Sequence, residues 1–268
     1  MTETTPPPVL ISHPTENIAV VTLNRLKSRN ALSREMMAEL EAAITTLSYQ
    51  KTVSAIVLAA EGPAFCAGHD LKELTAHRDD SDGGKAFYAE TMRACSALMM
   101  AIVNCPKPVI ASVHATATAA GCQLVATCDL AVADASAKFC TPGVNIGLFC
   151  STPMVALSRN VSRKKAMEML LLGDLISATD AETYGLVNRV VPDGEAMDGA
   201  LAFAKTIASK STMTVAYGKQ AFYAQLEKPL ADAYNFASDV MVQNMMATDA
   251  QEGIGAFLEK RPPVWKRC

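Results

Sequence analysis

The sequence predicts an α/β fold built on a mostly parallel sheet with covered faces, followed by a helical end. Three features predict it. Short, near-continuous aliphatic runs such as Ile18–Leu23 and Ala55–Ala60 read as strands buried on both faces. Stretches with helical spacing of apolar residues lie between them, as parallel strands joined by crossovers require. From Ser151 onward the pattern changes to helix after helix, with Gly173, Gly185 and Pro192 as punctuation.

Taken in order, Ile18–Leu23 is the first strand. Ser33 opens a helix, because its hydroxyl suits an N-cap and Met36, Met37, Leu40, Ile44 and Leu47 follow at helical spacing. Ala55–Ala60 is the second strand, ended by Gly62-Pro63. A helical run over residues 84–103 stops before Cys105-Pro106-Lys107-Pro108, where proline cannot continue a helix. Strand 109–113, a helix near 120–128 and strand 130–133 come next, and 186–191 is one strand-like interruption among later helices. The chain divides into an α/β core over residues 10–190 and a helical region over 191–268, without a linker between them.

The 268 residues are 50% hydrophobic, 19% charged and 6% aromatic, which suffices for a large core and argues against a disordered chain. A net charge of −3 leaves no basic footprint for nucleic acid. No run reaches 18 uninterrupted apolar residues, and residues 1–8 are polar and proline-rich without a cationic start. Neither a membrane span nor a secretory leader is expected, and the protein reads as soluble. The eight cysteines, 66, 95, 105, 122, 128, 140, 150 and 268, show no CxxC or Cys/His ligand spacing. They read as buried free thiols, not a zinc site or disulfide framework, and suit a reducing cytoplasm.

Two segments place small residues and main-chain amides at turns. One is Ala64-Phe65-Cys66-Ala67-Gly68-His69-Asp70-Leu71-Lys72-Glu73-Leu74, after a strand. The other is His114-Ala115-Thr116-Ala117-Thr118-Ala119-Ala120-Gly121-Cys122-Gln123-Leu124, from a strand into a helix. Small residues let a ligand approach the main chain, and unpaired amides at a helix start favour negative charge. Either loop alone is equally a structural turn. With Asn24-Arg25, Lys27 and Asn30-Ala31-Leu32, the segment 121–129 and Phe257–Arg261, they carry a resemblance over residues 10–266 to the crotonase (enoyl-CoA hydratase/isomerase) superfamily. It is nearest the branch of enoyl-CoA hydratase domain-containing proteins.

The resemblance implies a ββα spiral core with a C-terminal helical trimerisation region, assembled as a homotrimer or a hexamer (a dimer of trimers). It implies an acyl-CoA thioester as substrate in fatty acid metabolism, with no cofactor beyond that coenzyme A thioester, no metal, no nucleic acid and no membrane partner. The thioester oxygen would lie between the amides of His69 and Ala120. Ala67, Lys27 and Lys72 would contact coenzyme A, as would Lys260 from a neighbouring subunit; each lysine reads equally as a solvated surface residue. Hydratases of this family use two glutamates. The matching positions hold Gln123 and Gly143, so efficient water addition is not expected.

His69 is the candidate substitute, resembling the Ala-Gly-His-Asp segment of methylmalonyl-CoA decarboxylase, although that enzyme's tyrosine position falls near Cys150. The histidine reads either as catalytic or as shaping the pocket. Asp70 reads as a loop-fixing carboxylate, His114 as a packed, hydrogen-bonded histidine, and Cys150, Ser151 and Asn145 as pocket lining. The readings left open are an acyl-CoA enzyme with non-hydratase chemistry (decarboxylation, thioester cleavage or isomerisation through the stabilised enolate), a degenerate hydratase, and a non-catalytic acyl-CoA-binding scaffold.

Overall fold

The computed structural model describes residues 6–266. Its strands are β1 (Val9–Thr15), β2 (Ile18–Leu23), β3 (Ala55–Ala60), β4 (Val109–Val113), β5 (Ala117–Thr118), β6 (Leu130–Asp134), β7 (Lys138–Cys140), β8 (Ile176–Ser177) and β9 (Arg189–Val191). The helices are α1 (Arg34–Tyr49), α2 (Leu71–Ala76), α3 (Lys85–Asn104), α4 (Ala120–Thr127), α5 (Pro153–Asn160), α6 (Arg163–Leu172), α7 (Ala178–Tyr184), α8 (Ala196–Ala208), α9 (Thr212–Leu226), α10 (Leu230–Met246) and α11 (Thr248–Leu258). One six-stranded sheet runs β1-β2-β3-β4-β6-β9, and a small second sheet runs β5-β7-β8.

Every pairing in the large sheet is parallel except that of the edge strand β1 with β2. The aliphatic runs are continuous because both faces are covered. Along β3, Ile56 and Leu58 join one apolar cluster with α1, α3 and α4, while Ala55, Val57 and Ala59 join another beneath α8. Helix α8 lies close to the strands because its inner face carries Ala200, Ala204 and Ala208. Gly199 assists, since a Cβ there would stand 2.8 Å from Val132 Cγ1. The second face of the sheet is therefore covered by a helix from beyond residue 191.

Local signals behave as expected at α1. Ser33 Oγ accepts from the Met36 amide at 3.1 Å, and Met36, Met37, Leu40, Ile44 and Leu47 are buried. Helix α3 qualifies the membrane reading, because its length and composition alone would allow it to cross a bilayer. It is amphipathic, however, and Cys95, Leu98, Met99 and Ile102 form its buried stripe in the core. Strand β1 is nearly all exposed and contains Pro14, which an edge strand tolerates. Strands β5 and β8, of two residues each, are too short for any periodicity to register.

The helical end is tied to the sheet by a buried ion pair. Lys219 Nζ of α9 donates to Asp129 Oδ2 at 2.7 Å and to the carbonyls of Ile102 and Lys107 at 2.9 and 3.1 Å. Tyr223 Oη donates to Asp129 Oδ1 at 3.0 Å, and the Val109 amide to Oδ2 at 2.7 Å. Seven cysteines are free and buried; Cys268 lies outside the described residues.

Candidate active site

The two amide-bearing loops leave the C-terminal ends of the parallel strands β3 and β4, where α/β sheets offer a crevice. They are laced together by main-chain bonds: Phe65 N–H to Thr116 O at 3.0 Å, and Thr118 N–H to Cys66 O at 2.9 Å. Gly121 packs so tightly that a Cβ would stand 2.2 Å from Cys66 O. Gly68, at φ +88°, faces the other loop, and a Cβ there would be 2.9 Å from Ala119 Cβ and 3.4 Å from Ala120 N. Both its left-handed backbone and its close approach require glycine.

This lacing decides where the amides of His69 and Ala120 go. Leu32 N–H donates to Gly68 O at 2.7 Å, and Asp70 N–H donates to Leu32 O at 3.2 Å. In such a parallel bridge the intervening residue, His69, turns its own N–H away from Leu32. Ala119, at φ 49° and ψ −117°, occupies backbone space natural to glycine, with its own amide bound to Cys140 O at 2.9 Å. That conformation starts α4 at Ala120 with an open first turn. Among the described residues, neither the His69 nor the Ala120 amide has an acceptor.

The loop holding His69 is braced from residues 25–32. Asn30, buried and at φ 53°, donates through Nδ2 to Glu61 O at 2.7 Å and Ala64 O at 2.9 Å. Arg25 donates through Nη1 to Ala31 O at 2.7 Å and through Nη2 to Asp70 Oδ2 at 3.1 Å. Asp70 in turn caps α2, accepting from the amides of Lys72 and Glu73. Burial raises its pKa, but the Glu73 amide, Arg25 and the Lys72 amide more than offset this and leave it lowered. Asp70 therefore fixes the loop, as expected. His114 is held by the Gly62 carbonyl at 2.8 Å from Nε2, also as expected.

Both ring nitrogens of His69 are buried and have no partner among the described residues. Burial lowers the imidazole pKa and favours the neutral ring; the Leu32 carbonyl, outside hydrogen-bonding geometry, opposes this weakly. Gln123, one turn into α4 from Ala120, is buried with Oε1 3.8 Å from Cys95 Sγ. Gly143 lies in the short 3₁₀ turn Pro142–Ile146 that follows β7. No ionisable side chain stands at either position. The thiols offer no substitute nucleophile, since burial pushes Cys66 up to about 12 and Cys95 and Cys140 up to about 11. Cys150 is buried beside Gly143, and its thiol pKa is raised as well. Lys27, Ala67, Lys72 and Lys260 are all exposed.

Sequence reasoning located the loops but missed Ala119, because an alanine among alanines carries no warning of a left-handed backbone. The roles of Asn30 and Arg25 as braces were likewise invisible, although asparagine is a residue that enters this region readily.

A laced pair of loops with acceptor-free amides, on this fold, defines a class, and comparison identifies it. The chain matches the enoyl-CoA hydratase/isomerase family model over residues 13–267 and belongs to that family. It is 48% identical over 250 residues to the mitochondrial enoyl-CoA hydratase domain-containing protein 3 of Homo sapiens, covering 93% of this chain and 81% of that protein. The Rattus norvegicus protein of the same name is also 48% identical over 250 residues, covering 93% and 82%.

Among solved structures, an enoyl-CoA hydratase of Mycobacterium smegmatis superposes with TM-score 0.92 at 49% identity, covering 97% of this chain and 99% of that one. Human enoyl-CoA hydratase domain-containing protein 3 gives TM-score 0.91 at 47% identity, covering 96% and 100%. The crotonase-type fold with its C-terminal helices is thereby established. The expectation of a cytoplasmic location is corrected, because the vertebrate relatives are named mitochondrial. Its main support, buried free thiols, suits any reducing compartment and could not separate the two.

Proposed function

We propose that this protein binds an acyl-CoA thioester and stabilises enolate-like charge on the thioester oxygen between the amides of His69 and Ala120. The observation that carries this reading is the pair of acceptor-free amides on two laced loops. Fixed donors at a developing oxyanion are worth about 10²–10³ in rate each. Membership of the enoyl-CoA hydratase/isomerase family supports the thioester as ligand. In this reading Ala67, Lys27 and Lys72 contact coenzyme A, together with Lys260 of a neighbouring copy in a trimer or a dimer of trimers. Efficient hydration is not part of it. Each positioned acid or base contributes about 10²–10⁴, and both positions lack one.

The unpartnered, neutral imidazole of His69 favours a second reading, an acyl-CoA bearing a carboxylate on its α-carbon. The ring would donate one hydrogen bond to that carboxylate. The C–C bond to the carboxylate would break and release CO2, its electron pair would pass to the thioester as an enolate held by the two amides, and a solvent proton taken up at the α-carbon would complete the product.

The test is a panel of enoyl-, malonyl- and methylmalonyl-CoA thioesters with wild type and His69→Ala. Turnover of a carboxylated thioester that His69→Ala loses, with affinity nearly kept, is the result expected of the second reading. Binding of all three without turnover would reduce the protein to an acyl-CoA-binding scaffold. Turnover of crotonyl-CoA at ordinary enzyme rates would refute the loss of hydration.

A further inference from the structure

We propose that the main chain of residues 143–150, and not only the loss of two side chains, sets the reaction class of this site. It fills the place that a water-activating side chain at residue 143 would need and puts the Cys150 thiol there instead. This deepens the acyl-CoA reading and rests on it for the identity of the ligand.

The backbone of Gly143 does not lie in the left-handed region, so its conformation does not demand glycine. Space does. A Cβ on Gly143 would stand 2.8 Å from Leu148 O, 2.9 Å from Cys150 Sγ and 3.3 Å from Cys150 N. A thiol can swing away, but the carbonyl cannot. The Leu148 amide donates to Gly143 O at 2.9 Å, and Gly147 turns the chain at φ 77°, so Leu148 is tied to the very residue it crowds.

The turn that carries Gly143 is also packed from behind. At the end of α6, a Cβ on Gly173 would stand 3.1 Å from Pro142 Cα, Asn145 Nδ2 and Val144 Cγ2, so the 3₁₀ turn is backed by packed atoms. A side chain at 143 therefore requires the main chain at Leu148 to move. A methyl group meets this obstacle as surely as a carboxylate does. The thiol that takes the space is buried and neutral, and Gln123 cannot ionise. No group from these positions is left to draw a proton from water at the acyl chain, and chemistry is confined to charge held at the thioester oxygen.

The experiment compares full-length wild type, Gly143→Ala, Gln123→Glu and Gln123→Glu/Gly143→Glu for thermal midpoint and for crotonyl-CoA hydration. Gly143→Ala is expected to lower the midpoint by about 3–10 °C, the usual range for one overpacked position in a domain of this size. The double variant is expected to lose at least as much, or not to fold, and to hydrate no faster than Gln123→Glu alone. A Gly143→Ala midpoint equal to wild type would overturn the proposal. So would a tenfold or greater gain of hydration in the double variant over the single one. Calorimetric titration of wild type with butyryl-CoA separates the two layers. Absence of binding would sink the acyl-CoA reading, while the Gly143→Ala midpoint would still decide the steric claim.

Discussion

The two ends of the molecule solve different problems. Around the His69 and Ala120 loops, small residues allow tight backbone contacts within the chain: Gly121 against Cys66 O, Gly68 against Ala119, Asn30 holding two carbonyls. In α9–α11 the apolar residues face outward. Leu230, Tyr234, Met246, Phe257 and Leu258 are each more than two-thirds exposed. The contrast teaches that the two amide-bearing loops are positioned by contacts within the chain, whereas the helical end leaves large apolar side chains exposed. We propose that other copies cover them.

The largest expected effect lies at the joint between the two ends. Lys219→Met would leave the partly buried Asp129 with only Tyr223 Oη and the Val109 amide, and breaking a fully buried pair costs about 3–5 kcal/mol, which sets the upper end of the expected loss. Urea unfolding should show that loss, with α9–α11 becoming the first region to exchange amide hydrogens. A stability unchanged within error would mean that the helical end is held by its apolar contacts alone.

Next comes the exposed surface. The paired change Phe257→Asp/Leu258→Asp removes two large apolar side chains, each worth about 1.5–3 kcal/mol if covered. Sedimentation velocity should then report dissociation of the assembly with little change in helix content. A wild type that sediments as a monomer would break the comparison outright.

A smaller effect of opposite sign is expected in the loops. Ala119 holds a conformation that costs a residue with a Cβ about 1–3 kcal/mol, while glycine adds about 0.5–1 kcal/mol of chain entropy to lose. Ala119→Gly should therefore stabilise the fold by about 1 kcal/mol in urea unfolding. Destabilisation instead would show that the methyl contact with the Gly68 loop outweighs the strain.

The smallest effect concerns pH. Burial lowers the His69 pKa in the fold, so the unfolded chain takes up this proton first as pH falls below about 6.5. The stabilisation is fully present above that value and is lost as pH falls toward the folded pKa. His69→Gln should flatten the stability profile between about pH 7 and pH 5 relative to wild type; parallel profiles would place the acid sensitivity elsewhere.

The sequence made long elements legible and short ones not. Met36, Met37, Leu40, Ile44 and Leu47 announce α1, and two-sided burial makes β3 a continuous aliphatic run. Strands β5 and β8 hold two residues each and leave no periodic trace, yet β5 sets the second loop against β7. At the proposed site, only residue types were readable: a histidine in the first loop, and Gln123 and Gly143, neither of them a carboxylate. What the sequence could not reveal is spatial. Nothing in an alanine-rich run foretells φ 49° at Ala119, and only coordinates show that a Cβ on Gly143 would meet a carbonyl oxygen.

The central claim is that two main-chain amides polarise a thioester oxygen in a site without paired carboxylates. Its most direct test is the infrared carbonyl stretch of carbonyl-labelled butyryl-CoA bound to the wild-type protein. A stretch shifted to lower frequency than in free butyryl-CoA is the expected result. A bound thioester whose stretch equals that of the free ligand would contradict the account.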